Sequence, residues 1–403
     1  MKPLPNLLGF LLLLMLCESA RRSRAARAQQ VADFSVAGYL PEYRFAADLG
    51  FAAGQLTDLI LFSAKPTKSG LLTSFLTPEN FAAAKRHSGE TRLLLSVGGA
   101  GRSENFYAVS TDAGARQKLV ASLLRLVDLH SLSGADFDWE APSTPAEAGA
   151  YVRLLNEVHA AFGGRGLLLS VALHAGQALP EGGFEAVDRV NLMAYDMVAG
   201  GGSHAELGKV KEAVSRLLAA GCPREKIVVG IPLYGRRERS PGEVRTYAEI
   251  VDAMTHTPAE PGDPRARPLA ERVAPALAST SSHDGYLFDG RSAAQLKTAW
   301  AKREGLGGVF FWEVGQDKLE PGVSVLEAAA LVGNGTVEVD NVEGAGQARP
   351  TVAQEGIRER RRREGKRGGY QAPVVPDEEK AREAKESKKA KRRKRRGYDQ
   401  GEL

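Results

Sequence analysis

Three carboxylates stand at alternate positions in the first half of the chain: Asp136, Asp138 and Glu140. Residues two apart in a β-strand point to the same face, so a strand here would gather the three acids on one side, opposite Phe137 and Trp139. Like charges in so small a volume cannot all ionise freely. We therefore expect at least one carboxyl group with a raised pKa, which is what a general acid requires. The plainer interpretation is an edge strand with a solvated acidic face, but the two aromatic residues favour a strand packed on both sides.

The sequence gives little support for a metal or disulfide site. The three carboxylates could bind a hard cation, but no further oxygen-ligand motif lies near them. The seven histidines show no H-E-x-x-H or related spacing, which disfavours a zinc site. Cys17 lies in a predicted leader, so Cys222 is expected to be a packed thiol and not half of a disulfide. We predict no metal and no cofactor.

Short apolar runs alternate with helix-like stretches through the middle of the chain. Most runs are continuously apolar, as in parallel strands covered on both faces. Eight such repeats over roughly 300 residues predict an α/β fold, the (β/α)8 TIM barrel. An open doubly wound sheet would instead require a Gly-rich phosphate loop after the first strand, and none is present. The runs are Phe34–Leu40, Leu59–Ala64, Arg92–Val97, Ala135–Trp139, Gly166–Leu173, Val187–Ala194, Lys226–Pro232 and Gly307–Trp312.

Polar and aromatic residues follow the predicted carboxyl ends of these strands, where a barrel places its chemistry. Besides Glu140, they are Ser96–Gly99, Met193–Asp196, Tyr234–Arg236 and Trp312. Aromatic faces beside carboxylates are a combination with which proteins hold and cut sugars. The sequence therefore predicts a sugar site at one end of the barrel.

The N-terminal residues 1–28 are typical of a secretory signal peptide. Lys2 precedes the ten-residue apolar run Leu7–Leu16, which is too short to span a bilayer, and small residues follow up to Ala28. An uncleaved anchor or a lipoprotein signal at Cys17 are the alternatives. We expect a secreted, extracellular protein.

The C-terminal residues 338–403 are poor in apolar side chains and contain basic runs, so we predict a disordered, low-complexity tail. The tail is either a solvated linker or a contact for an anionic surface. The positive charge lies at the two ends of the chain, and residues 29–350 carry a net charge of −7 within a total of +5. We therefore expect no nucleic acid as a partner. A monomer is the expected state, although the sequence leaves the oligomeric state open.

The motifs of residues 31–333 resemble those of glycoside hydrolase family 18, the chitinases and chitinase-like lectins. Each motif alone is weak, but six in the same order and spacing are specific. Two departures are Ser133, where the family has the first aspartate of its signature, and Ala141, where an aromatic residue often stands. The motifs are Ser133–Glu140 for D-x-x-D-x-D-x-E, Ser96–Gly99 for S-x-G-G, Met193–Asp196 for M-x-Y-D, and the segments Gly38–Pro41, Gly230–Arg236 and Gly307–Glu313.

This resemblance implies roles by position. Glu140 would protonate the glycosidic oxygen and later act as a base, and Asp138 would orient the acetamido group of the substrate. Asp136 would share a proton with Asp138, and Tyr195 would hold the acetamido oxygen that attacks the sugar. Trp312 would form the apolar floor under the reacting sugar, although it could instead fill the barrel as a core residue. The other substrate contacts implied are Asp196, Met193, Tyr39, Phe62, Gly99, Tyr234 and Arg236.

Such a mechanism needs an N-acetyl group, so the resemblance implies chitin or N-acetylglucosamine oligosaccharides as substrate. A sugar-binding lectin on the same fold is one alternative, but lectin-like members usually lose the residue at position 140, which is Glu140 here. A hydrolase of N-glycan cores or peptidoglycan-type glycans is another. The family often carries an α+β insertion between strands seven and eight. Here 70 residues separate Gly235 from Leu306, so we expect a reduced or absent insertion and a shallow cleft.

Overall fold

The computed structural model describes residues 34–140, 142–255 and 280–339. Eight of the strands in these residues run parallel and close into a barrel: β1, β2, β4, β5, β6, β7, β8 and β13. The strands are β1 (Ser35–Pro41), β2 (Asp58–Pro66), β3 (Leu72–Ser74), β4 (Arg92–Gly98), β5 (Gly134–Asp138), β6 (Leu168–His174), β7 (Arg189–Met193), β8 (Ile227–Pro232), β9 (Tyr234–Arg237), β10 (Ser240–Thr246), β11 (Ser282–His283), β12 (Tyr286–Leu287) and β13 (Gly308–Trp312).

The barrel closes because β1 pairs in parallel with β13 on one side and with β2 on the other. This closure confirms the predicted TIM barrel and excludes the open doubly wound sheet. All eight predicted apolar runs are barrel strands, and their bounds differ from the prediction by two residues at most.

Helices cover the outside of the barrel, as the alternating pattern predicts. A capping box starts the helix Pro145–Phe162, in which Thr144 accepts from the backbone N–H of Glu147 while the Glu147 side chain accepts from that of Thr144. Within the described residues the helices are α1 (Leu49–Ala53), α2 (Pro78–Ser88), α3 (Phe106–Thr111), α4 (Ala113–His130), α5 (Pro145–Phe162), α6 (Leu207–Ala219), α7 (Tyr247–Thr255), α8 (Arg291–Arg303) and α9 (Val325–Gly333).

The apolar side chains form two clusters because strand residues alternate between the faces of the sheet. The larger cluster fills the layer between strands and helices and includes Phe137 and Trp139. The smaller cluster lies inside the barrel and includes Tyr39, Phe62 and Phe310. Strand β5 contributes its aromatic residues to the outer layer, which leaves its acids for the inside.

The amino end of the barrel is closed by a buried ion cluster around Asp58. This carboxylate accepts from Arg92 (Nε to Oδ1, 2.6 Å) and from Arg189 (Nη1 to Oδ2, 2.8 Å), as well as from the hydroxyls of Ser35 and Thr57. Burial raises the pKa of Asp58, but the two guanidinium groups outweigh it and hold the pKa well below its ordinary value. The two guanidinium groups therefore keep Asp58 ionised at this end of the barrel.

A short insertion separates β8 from β13. The strands β9 to β12 form an antiparallel sheet in the order β10-β9-β12-β11, and helix α7 follows β10. Of the two forms expected from the sequence, the described residues thus show a reduced insertion. Residues 256–279, which belong to the same segment, lie outside the described residues.

The predictions for the two ends of the chain stay predictions. The signal peptide (1–28) and most of the basic tail (338–403) lie outside the described residues. Within the described part, no helix has the length and apolar character needed to cross a bilayer.

Candidate active site

Strand β5 brings two of the three acids into the barrel interior. Asp136 and Asp138 are 0 % and 3 % exposed, and Glu140, two residues beyond Asp138, is half-buried. On the opposite face, Trp139 stacks on Phe106 with ring centroids 5.3 Å apart. The strand is therefore covered on both sides, and the interpretation as a solvated edge strand is wrong.

Asp136 is the centre of a buried hydrogen-bond network. Its Oδ2 accepts from the hydroxyl of Tyr39 at 2.9 Å, and its Oδ1 accepts from Ser170 at 2.6 Å and from the amide of Asn191 at 3.1 Å. Burial raises the pKa of Asp136 to about 6, although these hydrogen bonds act in the opposite direction. Three donors converge on this carboxylate, so its anion is the better stabilised of the two buried acids.

Asp138 has no comparable support. Its Oδ1 is buried and receives no hydrogen bond within the described residues. Burial raises the pKa of Asp138 well above its ordinary value, and the charges of Asp136 and Glu140 raise it further. The proton sharing between Asp136 and Asp138 that the resemblance implies stays a prediction. A buried acid with a free oxygen is poised to receive a hydrogen bond from a ligand.

Aromatic side chains surround the position of Trp312 at the end of β13. The indole lies 5.0 Å from the ring of Phe62 and 5.6 Å from that of Tyr39. Trp312 is half-buried, whereas Tyr39 and Phe62 are 2 % and 5 % exposed. The indole thus offers the accessible surface, with the other two rings packed against it. Tyr39 also has a task that the sequence did not indicate, because its hydroxyl donates to Asp136.

Tyr195 lies where β7 ends, with its ring 6.1 Å from Phe310 inside the barrel. Burial raises the pKa of its hydroxyl well above the ordinary value, and the charges of Tyr234, Asp138, Asp196 and Glu140 add to this effect. The hydroxyl stays protonated and makes no hydrogen bond to another described residue. In this conformation Tyr195 is therefore a donor open to a ligand, which favours its predicted role over that of a partner in a buried protein hydrogen bond.

Asp196 is bound on both oxygens by side chains from β9. Tyr234 donates to Oδ1 at 2.6 Å, and Arg236 donates through Nε to Oδ1 and through Nη2 to Oδ2, both at 2.6 Å. Burial raises the pKa of Asp196, but hydrogen bonds from His204, Arg236 and Tyr234 outweigh it, so the pKa lies below its ordinary value. Asp196 has φ +60°, a strained conformation for a residue other than glycine, which this network holds in place.

Gly99 and Met193 complete the predicted set, and both are buried. A Cβ atom on Gly99 would lie 2.2 Å from the ring of Phe62, so only glycine fits between β4 and that ring. Met193 is 8 % exposed and packs in the interior cluster. These two residues therefore pack beneath the accessible surface of the site.

Sequence reasoning missed two kinds of residue. Ser170 and Asn191 bind Asp136, and His204 has Nδ1 3.2 Å from both the backbone nitrogen and Oδ1 of Asp196. Asn191 stands two positions before Met193 on the same strand, so strand periodicity could have placed it inside the barrel. No local signal marks Ser170 or His204.

The two departures from the family signature have different outcomes. Ser133 precedes β5 at the amino end of the barrel, where its backbone N–H donates to Leu93 and its carbonyl accepts from Leu168. Asp136 lies three positions after Ser133, which separates the two residues by roughly 10 Å along the strand. Ala141 lies outside the described residues. No group of three or more His, Cys, Asp or Glu side chains suited to a metal occurs among the residues that the structure describes.

A TIM barrel with paired acids ending β5 and an aromatic floor from β13 defines the class of this protein as a glycoside hydrolase scaffold. The chain belongs to glycosyl hydrolases family 18, whose family model matches residues 36–317.

Two chitinases illustrate the sequence similarity. The chain is 28% identical to Chitinase 1 of Aphanocladium album over 274 residues, which cover 58% of this chain and 64% of that protein. It is 25% identical to Chitotriosidase-1 of Mus musculus over 281 residues, which cover 58% of this chain and 60% of that protein. The chain thus spans less than two thirds of the length of these relatives.

Two solved structures illustrate the similarity of fold. The GH18 chitinase ChiB of Flavobacterium johnsoniae has a TM-score of 0.62 at 23% identity and covers 78% of this chain and 98% of its own. A mutant of the GH18 chitinase of Cycas revoluta, in complex with (GlcNAc)4, has a TM-score of 0.61 at 23% identity and covers 74% and 99%. At this identity the two structures support the barrel fold.

Proposed function

We propose that this protein is a chitinase-type glycoside hydrolase that cuts β-1,4-linked N-acetylglucosamine polymers or oligomers with retention of configuration. Membership of the family, relatives named chitinases and a structural neighbour solved with an N-acetylglucosamine oligomer support the substrate class. The observation that carries the proposal is the position of Asp138, Glu140 and Tyr195 at the carboxyl ends of β5 and β7, where Asp138 is buried inside the barrel and Glu140 and Tyr195 are half-buried.

In the first step Glu140 donates its proton to the glycosidic oxygen, and the bond from that oxygen to the anomeric carbon breaks. The acetamido oxygen of the same sugar attacks the anomeric carbon and forms an oxazolinium intermediate. The free hydroxyl of Tyr195 donates to the acetamido oxygen and holds it in line. Trp312 covers the apolar face of the sugar, and Asp196, held by Tyr234 and Arg236, contacts its polar edge.

In the second step the Glu140 carboxylate takes a proton from water, which attacks the anomeric carbon and reopens the oxazolinium ring. Both steps invert that carbon, so the product keeps the configuration of the substrate. Asp138 accepts the acetamido N–H and stabilises the positive charge of the intermediate.

The two buried acids, Asp136 and Asp138, carry one negative charge and one proton between them. At rest, the three hydrogen-bond donors around Asp136 favour its anion, and the proton remains on Asp138. An acetamido N–H that reaches Asp138 favours its ionised form, so the proton passes from the carboxyl group of Asp138 to the carboxylate of Asp136 as the intermediate forms. The unsupported Oδ1 of Asp138 is the atom that this N–H would meet.

The decisive experiment compares native protein with Glu140→Gln on a fluorogenic chitooligosaccharide. We expect kcat to fall by about 10²- to 10⁴-fold, the usual contribution of a general acid, with substrate affinity retained. Glu212→Gln is the matched control, because Glu212 is an exposed helical residue (side chain 73 % exposed) outside the site. Equal rates for native protein and Glu140→Gln would refute the assigned role, and oligosaccharide binding without hydrolysis by native protein would favour a lectin.

Chitohexaose, an N-glycan core and peptidoglycan fragments would separate the possible substrates. We expect the highest kcat/KM for chitohexaose. A higher value for either of the other two glycans would replace chitin as the substrate class.

Secretion is part of the same proposal and follows from residues 1–28 alone. Expression of the full chain in a secretory host, followed by N-terminal sequencing of the protein in the medium, would test it. A product that stays in the cells with its original N-terminus would contradict the signal-peptide assignment.

A further inference from the structure

The loop between β7 and α6, which includes Tyr195 and Asp196, folds back on itself at His204. The imidazole Nδ1 of His204 accepts from the backbone N–H of Asp196 at 3.2 Å, and the carbonyl of His204 accepts from the N–H of Met197 at 2.9 Å. His204 is buried, with 2 % exposure. The peptide group that joins Tyr195 to Asp196 is therefore bound to a buried side chain from the returning part of the loop.

Nδ1 of His204 lies between two groups of Asp196. It is 3.2 Å from the backbone nitrogen and 3.2 Å from Oδ1. Oδ1 already accepts from Tyr234 and Arg236, both at 2.6 Å, whereas the N–H of Asp196 makes no other hydrogen bond within the described residues. A backbone N–H that faces a buried ring needs an acceptor. The backbone of Asp196 is therefore the group that depends on His204.

The residue after His204, Ala205, is tied to helix α8. The ammonium group of Lys297 donates to the carbonyl of Ala205 and pairs with the carboxylate of Asp289. Lys297 and Asp289 are 2 % and 5 % exposed, so this ion pair is shielded from water. His204 is thus attached through one residue to the helical layer, and its ring is a fixed point to which the backbone of Asp196 is bound.

The position of the Tyr195 hydroxyl depends on the contacts of its ring and on the backbone that follows it. The ring lies 6.1 Å from that of Phe310, and a Cβ atom on Gly230 would be 2.7 Å from its edge, so the ring fits closely against β8 and β13. Asp196 has φ +60°, which a residue other than glycine rarely adopts. Without the acceptor on His204, this backbone could relax toward an ordinary conformation and move Tyr195.

We propose that His204 is a positioning residue for Tyr195 and acts through the backbone of Asp196. This inference rests on the role of Tyr195 in the function proposed above. Loss of the Nδ1 group would shift the Tyr195 hydroxyl relative to the acetamido oxygen, and a misplacement of about 1 Å can lower a rate about 10²-fold. The contact of the sugar with Trp312 would remain, so kcat should fall while KM changes little.

Two substitutions at His204 differ in where they place a polar group. The amide of His204→Asn lies near the position of Nδ1, whereas that of His204→Gln reaches toward Nε2, which has no partner within the described residues. On a fluorogenic chitooligosaccharide, we expect His204→Gln to lower kcat roughly 10- to 100-fold with little change in KM. His204→Asn should retain most of the native kcat. Equal losses in the two variants, or native kcat in His204→Gln, would overturn the proposal.

His159→Gln is the matched control for these variants. His159 also has a buried ring nitrogen without a partner among the described residues, but it lies on α5, in the helical layer outside the barrel. Its substitution should leave kcat and KM at their native values. A fall in kcat as large as that of His204→Gln would show that the loss is not specific to the loop after β7, and would overturn the proposal.

A double-mutant cycle with Tyr195→Phe separates positioning of Tyr195 from a general defect of the fold. If His204 acts through the Tyr195 hydroxyl, His204→Gln should lower kcat little further in a Tyr195→Phe background. An undiminished loss of kcat in that background would show that His204 does not act through Tyr195.

Tyrosine-specific NMR labelling of the ring carbon that carries the hydroxyl gives a readout that needs no turnover. The signal of Tyr195 is the one that disappears in Tyr195→Phe. We expect it to shift in His204→Gln and to keep its native position in His204→Asn. If native protein fails to hydrolyse chitohexaose, the proposed function fails, and this shift still supports the positioning role. An unshifted Tyr195 signal in His204→Gln would overturn that role whether or not the protein is active.

Discussion

At the level of single residues, Asp136 and Asp138 show how position separates two identical side chains. Both are buried in the same strand and both have raised pKa values. Asp136 receives hydrogen bonds from Tyr39, Ser170 and Asn191, whereas Oδ1 of Asp138 receives none within the described residues. Because of this difference, Asp136 is the ionised acid of the pair. The protonation of Asp138 then depends on the hydrogen bond that the substrate donates to it.

The raised pKa of Asp136 predicts a pH dependence of stability. An acid with a pKa of about 6 in the folded state and about 4 when unfolded binds more protons in the folded state between these values, so stability falls as pH rises from 4 to 6. A difference of about two units corresponds to about 3 kcal/mol. We expect Asp136→Asn to remove this slope, as measured by urea unfolding at several pH values.

The comparison between the two proteins should use the change with pH and not the absolute stability, because Asp136→Asn also alters the hydrogen bonds to its neighbours. Parallel curves for native protein and Asp136→Asn between pH 4 and 6 would contradict the raised pKa.

At the level of elements, the loop after β4 joins the floor and the catalytic strand. Gly99 donates from its backbone to Asp138 and leaves room for the ring of Phe62, which touches both Trp312 and Arg102. The acid of this loop, Glu104, pairs with Lys65, so the loop contributes to the site through its geometry and not through a carboxylate.

A substitution in this loop should therefore disturb the site. Gly99→Ala would place a Cβ 2.2 Å from the Phe62 ring, so either that ring or the bond to Asp138 must shift. We expect a loss of about 1–3 kcal/mol in stability from overpacking, with a fall in kcat/KM, measured by denaturant unfolding and by chitooligosaccharide hydrolysis.

Gly101→Ala is the matched control for this loop. Gly101 also has a positive φ, +69°, but a Cβ there meets nothing within 4 Å. It should show only the smaller cost of its backbone conformation and an unchanged kcat/KM. Equal effects on kcat/KM from the two substitutions would show that contact with Phe62 is unimportant.

At the level of the whole molecule, the buried carboxyl groups at the two ends of the barrel have opposite pKa shifts. At the amino end, Asp58 is matched by Arg92 and Arg189, and its pKa is lowered. At the carboxyl end, Asp136 and Asp138 have raised pKa values. The first arrangement suits stability, and the second, which is costly for folding, suits reactivity.

Removing the matched charge should therefore affect stability. Asp58→Asn removes the buried carboxylate that accepts from both Arg92 and Arg189, and we expect it to cost about 3–5 kcal/mol of unfolding free energy. Asp128→Asn removes the carboxylate of an exposed pair with Arg165 and should cost less than about 1 kcal/mol. Denaturant unfolding of both variants measures the difference, and a loss as small as that of Asp128→Asn would contradict the role of the Asp58 cluster.

The sequence by itself determined the barrel and the position of its acids. Continuous apolar runs separated by helical patterns describe parallel strands covered on both faces, and they predicted all eight barrel strands. The alternation of Asp136 and Asp138 with Phe137 and Trp139 predicted which side chains share a face, because strand periodicity is a local property.

The tertiary structure alone decided the partners of these residues. Ser170 and Asn191 meet Asp136, and Arg102 lies between Phe62 and Phe75, because barrel closure brings together segments far apart in sequence. The pKa values of Asp136 and Asp138 differ for the same reason. Burial and hydrogen bonding depend on the three-dimensional neighbours of a group, and alternation along one strand cannot specify them.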